Sequence, residues 1–94
     1  MIGQKCIIRC YASGVHYGTV EAQDGRQVTL TNARRLWRWH TGGKDKGVSL
    51  SAVSVTGIDA SRSQVEPAVA RMMLLDALEI IPTTDVAAAS IEAA

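Results

Sequence analysis

The sequence predicts an α+β fold, in which a small antiparallel β-sheet forms a meander and is joined by a short helix and a C-terminal helix. Three observations support this prediction. β-Branched and apolar residues fill the N-terminal part, an Asp24-Gly25 pair marks a tight hairpin, and an alanine-rich segment ends the sequence. At 94 residues the chain is expected to form a single domain over residues 1–94.

The N-terminal part predicts three consecutive strands. Residues 5–11 and 15–23 have strand-like composition, and Ala12-Ser13-Gly14 between them supplies turn residues. Glycine accepts a positive φ, so Asp24-Gly25 predicts a hairpin into a third strand over residues 26–31. The meander follows from these two turns.

The remaining elements are predicted by capping signals. Ser49 is placed to cap a short helix that ends at Gly57, and residues 58–67 are polar and loop-like. Thr83 or Thr84 can cap a C-terminal helix from Asp85 to about residue 92. Residues 69–81 stay ambiguous, because their composition favours a helix while their end resembles a strand.

Residues 32–40 hold three of the seven arginines and both tryptophans. Guanidinium groups bind phosphate through paired hydrogen bonds, and indole rings stack on bases, so this motif predicts a nucleotide-like ligand. On a strand, Arg35, Trp37 and Trp39 would share one face, while Arg34, Leu36 and Arg38 would share the other. The alternative is that Trp37 is a core residue and the arginines form a solvated strand face.

The charge distribution indicates which classes of binding partner to expect. The net charge is only +1, but residues 5–46 hold eight basic and three acidic residues, whereas residues 72–94 hold four acidic residues and no basic ones. An anionic ligand is therefore expected in the N-terminal half, and a general nucleic-acid partner is not expected. No apolar segment is long enough to cross a bilayer and no signal peptide opens the chain, which predicts a cytoplasmic protein without a membrane partner.

Several kinds of chemistry are not expected. Cys6 and Cys10 would lie on the same strand face as Ile8, as free, buried thiols. No metal site is expected, because the sequence has no CxxC pair and only two histidines. The glycine-rich loop over residues 41–47 lacks the spacing of a Walker motif, so it is interpreted as a mobile surface loop or lid. No nucleophile elbow or acid pair is present, and we expect neither an enzyme nor a cofactor.

Three motifs resemble a family of short phage proteins. They are Ser13-Gly14-Val15-His16-Tyr17-Gly18, then Ala33-Arg34-Arg35-Leu36-Trp37-Arg38-Trp39, then residues 74–82, which read LLDALEIIP. This pattern is similar to the Thoeris anti-defence proteins of the first type, and the similarity runs from about residue 11 to residue 83. The resemblance implies an antiparallel sheet with strands over residues 69–75 and 77–81.

The resemblance also implies a function. Such proteins act as sponges in the cytoplasm of the infected bacterial host, where they bind cyclic ADP-ribose isomers made by TIR-domain enzymes, and some also hold cyclic oligonucleotides of the CBASS defence system. They sequester the signal without degrading it. The resemblance further implies a homo-oligomer, a dimer or a hexamer, with ligand pockets at subunit interfaces.

The candidate ligand-binding residues combine the chemistry of the motifs with this resemblance. Tyr17, Trp37 or an arginine plane would stack on the base, the arginines would pair with phosphates, and Asn32 would read the adenine or ribose. The backbone amides around Ser13 would form an anion nest. The full set is Arg9, Ser13, Val15, His16, Tyr17, Asn32, Arg34, Arg35, Trp37 and Arg71. The alternatives are a small single-stranded nucleic-acid-binding β domain and a structural phage accessory protein without a ligand.

Overall fold

The computed structural model describes residues 1–43 and 47–94. In this part of the chain a six-stranded antiparallel sheet is joined by two helices, which confirms the predicted α+β class. The strands are β1 Lys5–Cys10, β2 Val15–Asp24, β3 Gln27–Arg38, β4 Gln64–Val65, β5 Val69–Leu74 and β6 Ala77–Pro82. The helices are α1 Leu50–Thr56 and α2 Asp85–Ala93, with a 3-10 turn at Ala60–Arg62.

The predicted meander is present. Strand β1 pairs with β2 and β2 pairs with β3, and the predicted Asp24-Gly25 hairpin joins the last two. Gly25 has a φ of 59°, the left-handed conformation that the turn requires and that glycine adopts without strain.

The sheet curls until its two edges approach each other. The pairings give the order β5, β3, β2, β1, β6, yet only Leu75 and Asp76 separate the end of β5 from the start of β6. A flat sheet would hold the outer strands about 19 Å apart, four strand spacings, whereas three Cα steps reach at most about 11 Å. The sheet must therefore wrap around its inner face.

Two apolar clusters result, one on each face of the sheet. The inner cluster is enclosed by the curled strands and contains Cys6, Ile8, Cys10, Val20, Val28, Leu30, Ala33, Leu74 and Ala77. The outer cluster lies between the sheet and the two helices and contains Ile7, Val15, Tyr17, Leu36, Val53, Ile58, Ala88 and Ile91. Cys6 and Cys10 are free, buried and on the same face as Ile8, as predicted.

Both helices have the predicted caps. The hydroxyl of Ser49 accepts from the amide of Ala52 at the start of α1, and Gly57 ends this helix. The hydroxyl of Thr84 accepts from the amide of Ala87 at the start of α2. Local side-chain chemistry thus sets the helix boundaries.

The ambiguous residues 69–81 form strands β5 and β6, as the family resemblance implied, and not a helix. β5 pairs with β3, and β6 pairs with β1. Pairing with distant strands outweighs the local helix propensity of this segment.

Two further expectations concern connecting segments. The predicted loop over residues 58–67 is partly wrong, because it contains the 3-10 turn and β4. Of the predicted mobile surface loop or lid over residues 41–47, residues 44–46 lie outside the described residues, while Thr41 is buried and pairs with Ile58 in an isolated β-bridge. Within residues 1–43 and 47–94, no helix has the length and apolar character needed to cross a membrane.

Candidate functional site

A bulge in β3 decides which arginine faces which side of the sheet. Tyr17 pairs with Arg34 and Thr19 with Thr31, so β3 carries one residue more than β2 between these pairs. Asn32 takes up this extra length with a φ of 50°, a conformation that asparagine tolerates better than most residues. Because one extra residue reverses the alternation, Ala33 joins the inner cluster and Arg35 follows it on that face, while Arg34 faces the helices.

Arg34 clamps the end of helix α2. Its guanidinium donates to the carbonyl oxygens of Ile91, Glu92 and Ala94 at 2.9, 3.1 and 2.9 Å. It also donates to the carbonyls of Glu66 at 2.8 Å and Val65 at 3.5 Å. The last carbonyls of a helix lack intrahelical partners and carry partial negative charge, so a cation here satisfies and stabilises them. Arg34 is therefore fully used within the chain.

A cleft of about 300 Å³ lies beside this clamp, which we call the Tyr17 cleft. It is lined by Lys5, Tyr17, Gly18, Thr19, Asn32, Arg34, Ala68 and Glu92. The Tyr17 hydroxyl donates to the Glu92 carboxylate, and Lys5 Nζ lies 2.9 Å from the same group. Lys5, Arg34 and the Tyr17 hydroxyl are thus already engaged, and they fasten α2 to the sheet.

These contacts make the stability of the chain depend on pH. The hydrogen bond from Tyr17, together with the one from Lys5, lowers the pKa of Glu92 below its usual 4.5. Burial and the neighbouring carboxylate raise the pKa of Tyr17, so its hydroxyl stays a donor. A group with a lowered folded pKa stabilises the fold above its unfolded pKa, and this contribution is lost as the pH falls through the folded value.

We expect the unfolding free energy to fall as the pH is lowered through the ordinary carboxyl pKa of 4.5 and on toward the lower pKa that Glu92 has in the folded chain. Tyr17→Phe should flatten this decline, because it removes the hydrogen bond that contributes most to the shift. Urea denaturation at a series of pH values measures both effects. Glu66→Gln is the control, since the Glu66 carboxylate makes no ion pair within the described residues. An equal decline in Tyr17→Phe and the wild type would contradict this account.

The groove on the other side of the sheet is larger, about 530 Å³, and we call it the Arg35 groove. It is lined by Ala12, Ser13, Arg35, Met72, Met73, Leu74, Leu75 and Asp76. Asp76 fixes one wall, because its carboxylate accepts from the amide of Ala12 at 2.7 Å and its carbonyl from the amide of Tyr11 at 3.1 Å. The hairpin turn and the corner between β5 and β6 therefore form one connected wall.

Arg35 is the free cation of this groove. Its side chain is exposed and makes no hydrogen bond or ion pair with any residue that the structure describes. Its backbone is held, because the Arg35 carbonyl accepts from the amide of Glu66 at 2.9 Å. The groove thus combines apolar walls with an available guanidinium on a fixed strand.

Two potentially reactive groups lie near the groove in their neutral forms. Burial, and then the charge of Arg35, lowers the pKa of His16, and burial raises the pKa of the Cys10 thiol. His16 Nε2 lies 3.0 Å from the carbonyl oxygen of Ser13 and 3.3 Å from its hydroxyl, while His16 Nδ1 is buried without a partner among the described residues. Near neutral pH both groups are therefore uncharged.

The tryptophans lie on a third surface, the Trp37 slot, formed by Trp37, Arg38, Trp39 and Val48 and measuring about 240 Å³. Trp37 is 64% exposed, so it is not a core residue. The prediction that Trp39 shares a face with Arg35 is wrong, because Trp39 packs against the outer cluster that contains Leu36. The physical reason is a second register shift, between Leu36 and Arg38 against β4.

The other candidate residues do not join these surfaces as ligand groups. Arg9 pairs with Glu79 at 2.6 Å and Arg71 pairs with Glu21 at 2.8 Å, both at exposed positions. Val15 is buried in the outer cluster. The nine-residue Arg/Trp motif is thus divided among three surfaces and does not form one pocket.

Most residues that line these surfaces were not among the candidate ligand-binding residues. Those that matter most for the two sites argued below are Met72, Met73, Leu75 and Asp76 in the Arg35 groove and Arg38 in the Trp37 slot. The exposure of Met73 and Leu75 could not be predicted, because residues 69–81 were ambiguous between helix and strand. No cluster of three or more metal-ligating side chains occurs within the described ranges.

The fold and its surfaces define a small α+β domain with a curled antiparallel sheet, two packed helices and one groove that carries a free cation. The chain belongs to the family described as a domain of unknown function, DUF6948, whose model matches residues 3–91. No curated protein and no solved structure gave a significant match to the chain.

Proposed function

We propose that this protein is a phage anti-defence sponge that binds a bacterial immune signalling nucleotide and sequesters it without cleavage. The ligand is a cyclic ADP-ribose isomer made by Thoeris TIR-domain enzymes, and the site is the Arg35 groove. The observation that carries the proposal is the unpartnered guanidinium of Arg35 in a groove with otherwise mainly apolar walls. The resemblance of the three sequence motifs to those of the anti-defence family supports the choice of signalling nucleotide.

The chemistry of the groove matches the parts of such a ligand. A volume of about 530 Å³ lies within the range that encloses small molecules. Arg35 can pair with the pyrophosphate through two parallel hydrogen bonds, and the thioethers of Met72 and Met73 offer polarizable contacts for the adenine ring. Asp76 is an acceptor for a ribose hydroxyl or an adenine amino group.

The availability of the cations supports this site over the Tyr17 cleft. Lys5, Arg9 and Arg71 are paired with carboxylates, and Arg34 is bound to backbone carbonyls. Of these cations Lys5 and Arg34 line the Tyr17 cleft, so an anionic ligand there would have to displace their existing contacts. At Arg35 the ligand supplies the first partner.

The protonation states of Cys10 and His16, which lie near the groove, support binding without cleavage. A nucleophilic cysteine requires a thiolate, and burial keeps the Cys10 thiol protonated. His16 Nε2 lies within hydrogen-bond distance of the Ser13 carbonyl, and a neutral ring that donates to it cannot also accept the Ser13 hydroxyl proton there. A ligand in the groove would therefore meet no activated nucleophile from these residues.

The proposal includes assembly into a homo-oligomer and a wider ligand range. Met73 and Leu75 are exposed next to the groove, and their burial against a second copy would close the groove over its ligand. CBASS cyclic oligonucleotides are further candidate ligands. Light scattering with and without ligand measures the assembly.

Sequestration is tested by separating free from bound ligand. The protein is mixed with less than one equivalent of a cyclic ADP-ribose isomer, filtered, and the free ligand is quantified by mass spectrometry before and after heat denaturation. We expect little free ligand before heating and full recovery of the unchanged ligand afterwards. Free ligand before heating would contradict binding, and a changed mass after heating would contradict sequestration without cleavage.

A further inference from the structure

We infer that the Trp37 slot is a second binding site, which takes a short stretch of single-stranded nucleic acid by stacking a base on Trp37. This inference is independent of the Arg35 groove and of the ligand proposed there. It rests on three observations: the Trp37 indole is exposed, the Trp39 indole is anchored, and two arginines, Arg38 and Arg62, lie on the neighbouring segments.

The two tryptophans of the slot differ in a way that suits stacking. Trp39 is anchored, since its Nε1 donates to the carbonyl of Val48 at 2.9 Å and its ring packs against the outer cluster. Trp37 lies at the irregularity of β3 against β4 and is 64% exposed. Bulges redirect side chains, and this one leaves a large aromatic face in solvent on a rigid strand.

The charges near the slot match a phosphate backbone. Arg38 lines the slot and pairs in register with Gln64 on β4. Arg62, at the end of the 3-10 turn, lies two residues before Gln64 in the chain. Both arginines are exposed and lack ion pairs within residues 1–43 and 47–94. Asp59 is the acidic neighbour, but its carboxylate is engaged by the amide and hydroxyl of Ser61 at 3.1 and 2.7 Å.

A single strand fits these features better than a duplex or a second copy of the chain. The bases of a duplex are stacked on one another, whereas an unpaired base offers its face to an indole. A second copy would bring Arg38 and Arg62 against the same two arginines in a symmetric contact, which like charges oppose. The slot is small, so we expect one or two stacked bases.

The test uses the fluorescence of the two tryptophans with oligodeoxythymidylate of about ten nucleotides, a length within the usual range of single-strand sites. We expect quenching that saturates, while a duplex of equal length causes much less. Two phosphate contacts predict that log K falls with log salt at a slope of about −1.4.

Substitutions then locate the site, with affinity read from the fluorescence anisotropy of an end-labelled strand because the Trp37 variants lack the reporting indole. Trp37→Ala should weaken binding about 5- to 150-fold, the range for loss of one stacked base, and Arg38→Ala should reduce the salt slope by about 0.7. Val55→Ala, which removes another exposed apolar side chain, and Arg26→Ala, which removes an exposed arginine at the hairpin between β2 and β3, should bind the strand as the wild type does. Trp37→Phe keeps a ring and should retain part of the affinity, which separates stacking from misfolding.

The inference is overturned if the strand leaves the emission unchanged, if Trp37→Ala binds as tightly as the wild type, or if Trp37→Ala converts an oligomer into monomers without changing strand binding. The last result would assign the slot to a second copy of the chain. None of these results bears on the Arg35 groove, because the Arg35→Ala variant reports on that site separately.

Discussion

Arg34→Ala should destabilise the fold by about 2–4 kcal/mol, because hydrogen bonds that involve a charged group contribute about 1.5–3 kcal/mol each and do not add fully. The substitution leaves the terminal carbonyls of α2 without their cation and breaks the link to the segment around Glu66. For a domain of this size the melting temperature should fall by roughly 8–30 °C. Chemical denaturation followed by circular dichroism measures the loss.

Two variants show whether the effect comes from the clamp. Arg34→Lys keeps the charge but lacks the planar fork of donors, so it should recover only a minor part of the stability. Arg26→Ala removes an exposed arginine whose side chain makes no hydrogen bond or ion pair in the described part of the chain, and it should stay within about 0.5 kcal/mol of the wild type. If Arg34→Ala were as stable as the wild type, the clamp would not be what holds α2.

Arg35→Ala, in contrast to Arg34→Ala, should weaken ligand binding and leave the stability of the fold unchanged. Truncating one partner of a desolvated charge pair costs about 2 kcal/mol or more, so the affinity for a cyclic ADP-ribose isomer should fall at least about 30-fold. The unfolding free energy should change by less than about 0.5 kcal/mol, since the side chain makes no hydrogen bond or ion pair within residues 1–43 and 47–94. Calorimetric titration and denaturation of the same preparation measure both quantities.

The comparison of the two adjacent arginines is the control. Arg35→Lys should recover part of the affinity, because lysine binds phosphate as a point charge without the paired geometry. Arg26→Ala should bind as the wild type does. Unchanged affinity in Arg35→Ala would remove the groove from the proposal, and an equal stability loss in both neighbours would contradict the assignment of their separate roles.

Local signals in the sequence predicted much of the fold. Asp24-Gly25, Ser49 and Thr84 each act through their immediate neighbours, so the hairpin and both helix starts could be located from the sequence. The strands over residues 69–82 could not be derived from local propensity, since their pairing partners lie on β3 and β1, far away in the chain. The family resemblance implied these strands where composition favoured a helix.

The different positions of Arg34 and Arg35 could not be predicted from the sequence, for a related reason. The acceptors of Arg34 lie 31 to 60 residues further along the chain, and no spacing rule connects them. The bulge at Asn32 decides that Arg35 and not Arg34 faces the groove, and the shift after Leu36 moves Trp39 to the other cluster. A register shift of one residue moves all the side chains that follow to the opposite face of the sheet. The alternation of residues in the sequence does not show where such a shift occurs.

The most direct test of the proposed function is a calorimetric titration of the full chain with cyclic ADP-ribose isomers. We expect a saturable heat with a fixed stoichiometry per chain for at least one isomer. Binding should be of high affinity, as sequestration requires. Absence of heat with every isomer, in protein that denatures cooperatively, would contradict the proposal that the Arg35 groove holds this signal.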